Sequence, residues 1–391
     1  MPLAERVKDL QPSSTLRITS LANKLLSEGI DVVSFAAGEP DFDTPDLIKE
    51  AAIEAIRQGF TKYTPSTGTP ELKKAIQEKF KKENNLNYST DQIIVSSGAK
   101  HCLFNIVLSL VDEGDEVIIP VPYWVSYPEM VKVAAGNVRY VMTERDSNFK
   151  LRAKDLKKNI SPKTKLLILN SPSNPTGSVY TAEELEEIAC LCVENKIYVI
   201  SDEIYEKLLY DGLEHISIAG LNEEVRKLTF TVNGVSKAYS MTGWRIGYFA
   251  GPLEVVNAIK NLQDHSTSNP CSISQKAALA ALSAPVTLGK EMASEFRKRR
   301  DYLIQRVDNI PSLSYVRPGG AFYLFCNISR TGLKAQDFSL RLLNEERVAL
   351  IPGDGFGRDD YIRISFAVNL ETIKKGIDRL ERWLKQLPRK S

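Results

Sequence analysis

The feature that most constrains the fold of this chain is a repeated alternation of short β-rich runs and helical patterns between residues 92 and 250. Helical patterns separate most of the β-rich runs, which cover residues 92–97, 116–120, 138–143, 165–170, 198–202, 228–232 and 245–250. Such alternation predicts an α/β fold with a mainly parallel sheet covered by helices on both faces. In sheets of this kind the ligand binds beyond the carboxyl ends of the strands, so residues at those ends are candidate site residues.

The pattern changes beyond about residue 285. A long, charged amphipathic helix is predicted over 290–307, followed by strands near 321–326, 348–351 and 361–366 and by a closing helix with one apolar stripe. A chain of 391 residues is long for a single core. We therefore predict a large domain over 45–285 and a smaller α+β domain that contains 286–391.

Charge and composition exclude several classes of function. The formal net charge is only +2, so the positive excess typical of nucleic-acid binding is absent. No apolar run reaches the roughly 18 residues of a membrane span, and the N-terminus lacks the layout of a signal peptide, which predicts a cytoplasmic protein. The five scattered cysteines indicate reduced thiols, and His101, His215 and His265 show no metal-ligand spacing.

One lysine lies in an unusual setting. Lys237 is flanked by small residues in the run 231–247, TVNGVSKAYSMTGWRIG, directly after an apolar, β-branched segment. A lysine in a loop at a strand end inside the molecule is partly desolvated, which disfavours the ammonium and leaves a nucleophilic amine. A surface lysine is the commoner case. Ser236 and Arg245 nearby are suited to hold a phosphate beside it.

A second candidate lies at a turn from strand to helix. Gly98 follows the run 92–97 and opens an apolar helical segment. Backbone N–H groups at such a turn converge on an anion, and the helix N-terminus adds partial positive charge. Glycine turns are also common for purely structural reasons. The GxGxxG and Walker patterns are absent, which disfavours dinucleotide and triphosphate binding.

Several motifs together resemble a known family. The segments SKAYSMTGWRIGY, NSPSNPTG (170–177) and SDEIYE (201–206) closely resemble the class I aminotransferases of the fold-type I pyridoxal-phosphate group. The resemblance runs from AAGEPDFDTP at 36–45 to YIRIS at 361–365 and adds residues 1–44 to the smaller domain. YTPSTGTPEL, GAKHCLFN and PYWVSYPEM, which begin at 63, 98 and 122, are most similar to bacterial aspartate aminotransferases, some of which also use prephenate.

The resemblance implies pyridoxal 5'-phosphate as cofactor, held by Lys237 through a Schiff base. Asp202 would keep the ring nitrogen protonated, so that the ring accepts electrons from a substrate carbanion. From its position alone this strand-ending aspartate is first a turn or cap residue. The remaining cofactor contacts that the resemblance implies are Gly98, Ala99, Lys100, Ser236 and Arg245 at the phosphate, Tyr205 and Asn174 at the phenolic oxygen, Trp124 on the ring face and Tyr63 from a neighbouring subunit.

The resemblance also implies the substrate contacts. Arg363 alternates with apolar residues on a predicted strand and matches the arginine that clamps the α-carboxylate, while the backbone of Gly38 contacts the same carboxylate. Lys100 matches the lysine that meets the distal carboxylate in the aspartate-using subgroup. Trp124 and Asn174 also border the substrate. Hydroxyl contacts from Ser14 and Thr15 are a further expectation, and His101 either lines the site or is simply packed.

The expected reaction moves the amino group of L-aspartate to 2-oxoglutarate, with prephenate as another acceptor, by ping-pong kinetics in a homodimer with shared active sites. The alternatives within the same fold are an aromatic or glutamine-type aminotransferase and a β-lyase acting on cysteine conjugates. A nicotinamide dehydrogenase would share the alternating sheet, but the missing fingerprint and the isolated lysine disfavour it.

Overall fold

The computed structural model describes residues 3–8, 10, 14–285 and 287–387. The helices are α1 Glu5–Lys8, α2 Ser14–Ser27, α3 Asp46–Arg57, α4 Pro70–Asn84, α5 Ala99–Leu110, α6 Ser126–Val133, α7 Ala153–Asn159, α8 Ala182–Glu194, α9 Glu223–Arg226, α10 Leu253–Ser266, α11 Ser272–Ser283, α12 Thr287–Val307, α13 Ala335–Glu346 and α14 Leu370–Gln386. The strands are β1 Val33–Ser34, β2 Ile93–Ser96, β3 Glu116–Val121, β4 Asn137–Met142, β5 Thr164–Asn170, β6 Tyr198–Asp202, β7 Thr229–Gly234, β8 Gly247–Ala250, β9 Ser314–Tyr315, β10 Tyr323–Asn327, β11 Val348–Ala349, β12 Ile351–Pro352 and β13 Tyr361–Ser365.

The large sheet has the order β2-β8-β7-β6-β5-β3-β4. Strands β4, β3, β5, β6 and β7 pair in parallel, whereas β8 runs antiparallel to both of its neighbours. The predicted mainly parallel sheet is therefore confirmed, with one reversed strand. Successive side chains of a strand point to opposite faces, so both faces of a parallel sheet need an apolar cover.

Helices supply this cover on both faces. Leu103 and Ile106 of α5 and Ile259 of α10 pack with Phe230 and Phe249 on one face. On the other face, Leu156 of α7 and Leu185 and Ile188 of α8 pack with Leu167 and Val199 in a separate cluster. The sheet is thus a rigid central layer whose strand ends are held in fixed register.

Smaller sheets lie outside this layer. β12, β13, β10 and β9 form an antiparallel sheet, and β1 pairs in parallel with β11. The N-terminal segment packs with the C-terminal part, since Ile18 and Ala22 of α2 share a cluster with Leu343 and Ile351. The division into 45–285 on one side and 1–44 with 286–391 on the other stays a prediction.

Two helix starts show why the chain folds this way locally. Thr181 and Glu184 form a reciprocal capping box at the start of α8. Asn369 caps α14, which buries Ile373 and Ile377 on one stripe. Among the described residues, no helix combines the length and apolar character that a membrane span requires.

The predicted start of β8 was wrong. The β-rich run at 245–250 becomes a strand only from Gly247, because Thr242–Trp244 forms a 3-10 turn and Arg245 has a left-handed backbone with φ 55°. This conformation turns the arginine away from the strand direction before pairing begins.

Candidate active site

Several of the predicted site residues lie at the carboxyl ends of three adjacent strands. Asn170 at the end of β5 lies in register with Asp202 at the end of β6, and β7 leads directly into the loop that carries Lys237. A cavity of about 400 Å³ opens there. The predicted residues that line it are Gly38, Ala99, Lys100, Trp124, Asn174, Asp202, Tyr205, Ser236, Lys237, Arg245 and Arg363.

Lys237 points into this cavity. Its Nζ donates a 2.7 Å hydrogen bond to the carbonyl of Gly38. Desolvation of the ammonium lowers the pKa of Lys237 to about 8, although the carboxylate of Glu39 acts in the opposite direction. The small neighbours Ser236 and Ala238 are buried. Lys237 is therefore a nucleophilic amine with a substantial neutral fraction near neutral pH.

Asp202 lies at the floor of the cavity and is almost fully buried. Burial raises the pKa of its carboxyl to about 6, and the hydrogen bond from Tyr127 partly offsets this rise. The Tyr127 hydroxyl donates to Asp202 Oδ2 at 2.7 Å, and the backbone N–H of Ile204 donates to Oδ1 at 3.3 Å. A buried carboxyl of this kind is suited to bind a protonated ring nitrogen, which would stabilise its ionised form.

Gly98 forms a tight corner at the start of α5. Its φ is +93°, and a Cβ at this position would lie 2.6 Å from Arg245 Nη2. The first N–H groups of a helix have no intrahelical acceptor, so those of Ala99 and Lys100 are donors at this corner. Ser236 is buried close by in sequence to Lys237, while Arg245 is exposed at the rim. The corner offers converging donors to an anion such as a phosphate.

Arg363 is a buried cation without a carboxylate partner among the described residues. Its Nη1 donates to Asn174 Oδ1 and its Nη2 to the carbonyl of Ala36, both at 3.0 Å. Its Nε is buried and has no hydrogen-bond partner. Buried charges are normally paired, so this guanidinium is ready to bind an incoming anion. Because Asn174 Oδ1 accepts from Arg363, the amide Nδ2 of Asn174 remains a donor.

Lys100 and Trp124 form the rim opposite the strand ends. Lys100 is exposed as a residue, but its Nζ lies 4.9 Å from the centroid of the Trp124 ring. Partial desolvation and the nearby Arg245 lower the pKa of Lys100. Trp124 itself packs edge to face on Tyr127, with ring centroids 5.3 Å apart. Lys100 is therefore a further basic group in the cavity that Arg245 and Arg363 also line.

Not every predicted residue lies in the cavity. Tyr63 does not line it and is 91% exposed. His101 lines an adjacent cavity of about 430 Å³, where its Nδ1 accepts from the N–H of Ser97 at 3.2 Å. Ser14 and Thr15 begin α2, but their side chains lie outside the described residues.

Sequence reasoning missed two tyrosines. Tyr127 was not singled out, although it lies three residues after Trp124. Tyr323 of β10 was not singled out, yet it lines the cavity and its hydroxyl lies 2.8 Å from that of Tyr205. Neither tyrosine carries a signal of its own in the sequence, because a buried tyrosine normally finds a hydrogen-bond partner and only tertiary packing reveals which one.

The segment 36–44 lies along the loop that carries Lys237. Besides the Gly38 contact, Thr242 donates to Glu39 Oε2 at 2.6 Å and Thr44 donates to the carbonyl of Ser240 at 2.7 Å. Trp244 Nε1 donates to Thr44 Oγ1 at 3.0 Å. The lysine loop is thus hydrogen-bonded at several points to a segment nearly 200 residues earlier in the chain.

A larger cavity, about 780 Å³, contains none of the predicted site residues. Beside it, ligand atoms of Glu203, Glu206 and His215 lie within 4.8 Å of one another. Lys79 forms an ion pair with Glu206, and together with His215 it lowers the pKa of Glu206 to about 2 despite the burial that would raise it. Lys79 and His215 balance the acidic charges of this cluster, so the smaller cavity is the better candidate for the active site.

Comparison with known proteins agrees with this geometry. The family model described as aminotransferase class I and II matches residues 30–380. The chain is 52% identical over 388 residues to an aspartate aminotransferase of Bacillus sp. (strain YM-2), covering 98% of this chain and 99% of that protein. It is 46% identical over 390 residues to a probable aspartate/prephenate aminotransferase of Aquifex aeolicus, covering 98% and 99%.

Solved structures agree as well. The aspartate aminotransferase of Rhizobium meliloti superposes with a TM-score of 0.95 at 40% identity, covering 99% of this chain and 100% of that one. The Thermus thermophilus aspartate aminotransferase with maleate gives 0.94 at 44% identity, covering 98% and 99%. The fold-type I architecture expected from the sequence is confirmed. The chain belongs to the aminotransferase class I and II family.

Proposed function

We propose that this protein is an aspartate aminotransferase that moves the amino group of L-aspartate to 2-oxoglutarate, with prephenate as a further candidate acceptor. The observation that carries the proposal is a lysine amine of pKa about 8 in one cavity with Arg363 and Lys100, two basic groups besides the Arg245 assigned to the phosphate. Aspartate and 2-oxoglutarate each bring two carboxylates. The similarity to proteins named aspartate aminotransferase supports the same substrate class.

Family membership brings pyridoxal 5'-phosphate as cofactor, and the residues present fit this group. The glycine corner that a Cβ would fill and the free N–H groups of α5 suit the phosphate. Asp202 suits the ring nitrogen, and the hydroxyl of Tyr205 and the Nδ2 of Asn174 suit the phenolic oxygen. Trp124 suits the ring face. When bound, the cofactor supplies an electron-accepting ring that stabilises negative charge at the substrate Cα.

The chain's own groups supply the remaining chemistry. The neutral Lys237 amine is placed to take the proton from the substrate Cα and would deliver it to C4′ of the bound cofactor, so that the lysine ends neutral again. The ionised Asp202 would hold a proton on the ring nitrogen. Arg363 binds the α-carboxylate, and its position between Asn174 and the carbonyl of Ala36 fixes the orientation of the substrate. Water is kept from the floor of the site by Tyr127, Tyr205 and Tyr323, which are all buried.

A substrate panel tests the proposal. Initial rates are measured with aspartate, phenylalanine and cystathionine as donors, and with 2-oxoglutarate, prephenate and phenylpyruvate as acceptors. We expect aspartate to be the best donor, with parallel double-reciprocal plots that report ping-pong kinetics. Faster reaction with phenylalanine would favour the aromatic aminotransferase, and pyruvate release from cystathionine would favour the β-lyase.

Replacing Lys100 tests the assignment of the distal carboxylate. Lys100→Met keeps the length of the side chain and removes its charge, so we expect kcat/KM for aspartate to fall by about 10- to 100-fold, the range for losing one charge-assisted hydrogen bond. The rate with phenylalanine serves as the matched control, because it has no distal carboxylate and should change by less than about threefold. An equal loss with both donors would contradict the assignment.

We further propose that the protein is a homodimer with shared active sites. In the single chain Tyr63 is 91% exposed, and Leu47, Ile53 and Ile56 of the neighbouring helix α3 are exposed as well. Ile53 and Ile56 lie about one helical turn apart on one face of α3, and exposed apolar side chains placed in this way are typical of an interaction surface. In the proposed dimer a second copy covers this face, and Tyr63 reaches the cavity of its neighbour.

Mixing two inactive variants tests this arrangement. Lys237→Ala and Tyr63→Ala chains are each impaired, but a mixed dimer holds one intact site if Tyr63 acts across the interface. Unfolding and refolding them together should recover about a quarter of the wild-type sites, because half of randomly assorted twofold dimers are mixed. Sedimentation should give about twice the chain mass of 43.7 kDa. A mixture no more active than the mean of its two parents would rule out sharing.

A further inference from the structure

Tyr323 lies on β10, outside the sheet that carries most of the site. Its side chain is only 1% exposed and lines the cavity. The Tyr323 and Tyr205 hydroxyls are 2.8 Å apart, and their rings meet edge to face with centroids 5.8 Å apart. The contact joins residues that are 118 positions apart in the sequence.

The hydrogen bond between the two tyrosines leaves one hydroxyl proton without an acceptor. Two phenol groups carry two protons, and the hydrogen bond between them uses only one. Among the described residues, neither hydroxyl has a second hydrogen-bond partner. Both side chains are at least 96% buried, and buried polar groups are normally satisfied. The remaining proton is therefore available to an acceptor in the cavity.

The position of Tyr205 determines which of the two hydroxyls donates to the other. Tyr205 follows β6 three residues after Asp202, and in the proposed function it donates to the phenolic oxygen of the cofactor. When its proton is used in this way, its oxygen can only accept, so Tyr323 becomes the donor. A hydroxyl that accepts a hydrogen bond becomes a better donor itself. Tyr323 then strengthens the bond that Tyr205 makes to the cofactor.

The ring of Tyr323 has a second contact. The Arg363 guanidinium lies 4.3 Å from the ring centroid, within the distance for a cation–π interaction. A Cβ at Gly38 would lie 3.2 Å from the Tyr323 hydroxyl, so this hydroxyl packs closely against the segment 36–44. That segment continues from Ala36, whose carbonyl accepts from Arg363. One side chain therefore contacts groups assigned to cofactor binding and to substrate binding.

We propose that Tyr323 is a positioning residue that couples the two ends of the site: its hydroxyl supports Tyr205, and its ring holds Arg363 in place for the substrate carboxylate. The inference rests on the proposed function and extends it to a residue that neither touches the reacting atoms nor follows from the sequence motifs. The two contacts use different parts of the side chain, so different substitutions separate them.

The first test removes only the hydroxyl. In Tyr323→Phe, the Tyr205 hydroxyl becomes a weaker donor, so it stabilises the deprotonated form of the Schiff base between Lys237 and the cofactor less. The pH midpoint of the visible absorbance of the pyridoxal-phosphate-loaded protein should therefore rise by about half a pH unit. Tyr205→Phe should raise the midpoint further. The double variant should match Tyr205→Phe alone, because Tyr323 acts through that hydroxyl.

The second test removes the ring. In Tyr323→Leu, the affinity for the unreactive dicarboxylate maleate, measured by calorimetry on the loaded protein, should fall by about tenfold. Tyr323→Phe keeps the ring and should bind maleate within about twofold of wild type. Tyr210→Phe is the matched control, because this buried tyrosine belongs to the same core cluster as Tyr323 but does not line the cavity. Its hydroxyl donates to the carbonyl of Ala321, and the Arg300 guanidinium lies 4.6 Å from its ring centroid. Tyr210→Phe should change neither quantity.

An unchanged midpoint in Tyr323→Phe, or an additive rise in the double variant, would overturn the proposal, as would unchanged maleate affinity in a folded Tyr323→Leu. The Tyr323→Phe measurement decides the hydroxyl contact even if the leucine variant folds poorly. Failure of the proposed function looks different, because it would appear in the wild-type protein as poor transamination of aspartate.

Discussion

Lys237→Ala should lower transamination by at least about 10⁴-fold, since it removes both the covalent attachment point for the cofactor and the base that moves the Cα proton. The loss should appear in kcat at saturating substrate and cofactor. The visible absorbance of the loaded protein should also lose its sensitivity to borohydride, which reduces the bond between lysine and cofactor. Both readings are available from one purified preparation.

Lys73→Ala is the matched control for this variant. Burial also lowers the pKa of Lys73, but this lysine does not line the cavity. Its replacement should leave activity within about twofold of wild type. Transamination by Lys237→Ala at the wild-type rate would be incompatible with the proposed function.

Asp202→Asn should lower kcat/KM by about 10³-fold, in line with the 2–5 kcal/mol cost of removing one partner of a buried charge pair. Asparagine preserves the shape of the side chain, but it cannot carry the negative charge that keeps the ring nitrogen protonated. Steady-state rates of the loaded variant across several donors measure this loss. A variant that retains more than about a tenth of the activity would contradict the assigned role.

The same substitution should stabilise the cofactor-free protein. Burial raises the pKa of Asp202 from 3.8 to about 6, so ionisation above pH 6 costs the folded state up to about 3 kcal/mol relative to the unfolded chain. Below pH 3.8 the carboxyl is protonated in both states and the cost disappears. Denaturant unfolding should therefore show a more stable variant at pH 7.5 and little difference near pH 4. A variant less stable at pH 7.5 would contradict the pKa shift.

The sequence predicted those features that depend on residues close together in the chain. Strand and helix alternation predicts the sheet, and strand ends place Asp202 and the Lys237 loop at one edge. Arg363 stands out because a charge alternates with apolar residues on a strand. The reversed direction of β8 was not predicted. The start of this strand was also not predictable in the same way, because the backbone of Arg245 is set by the turn before it.

Features that depend on distant residues were not predicted. The partners of Tyr127 and Tyr323 are Asp202 and Tyr205, which lie 75 and 118 positions away. In the sequence both tyrosines are indistinguishable from core aromatic residues, since only tertiary packing reveals which acceptor a hydroxyl reaches. The family resemblance predicted which groups contact the cofactor and the substrate, and the structure adds the neighbours of these groups.

The contacts of segment 36–44 have a consequence for biosynthesis. Lys237 binds the carbonyl of Gly38, and Arg363 binds the carbonyl of Ala36, 327 positions earlier in the sequence. Chains fold from the N-terminus as they leave the ribosome, and contacts of long sequence separation form late. A nascent chain that has not yet released Arg363 therefore has an incomplete cavity, so catalytic competence should arise only after Arg363 has left the ribosome.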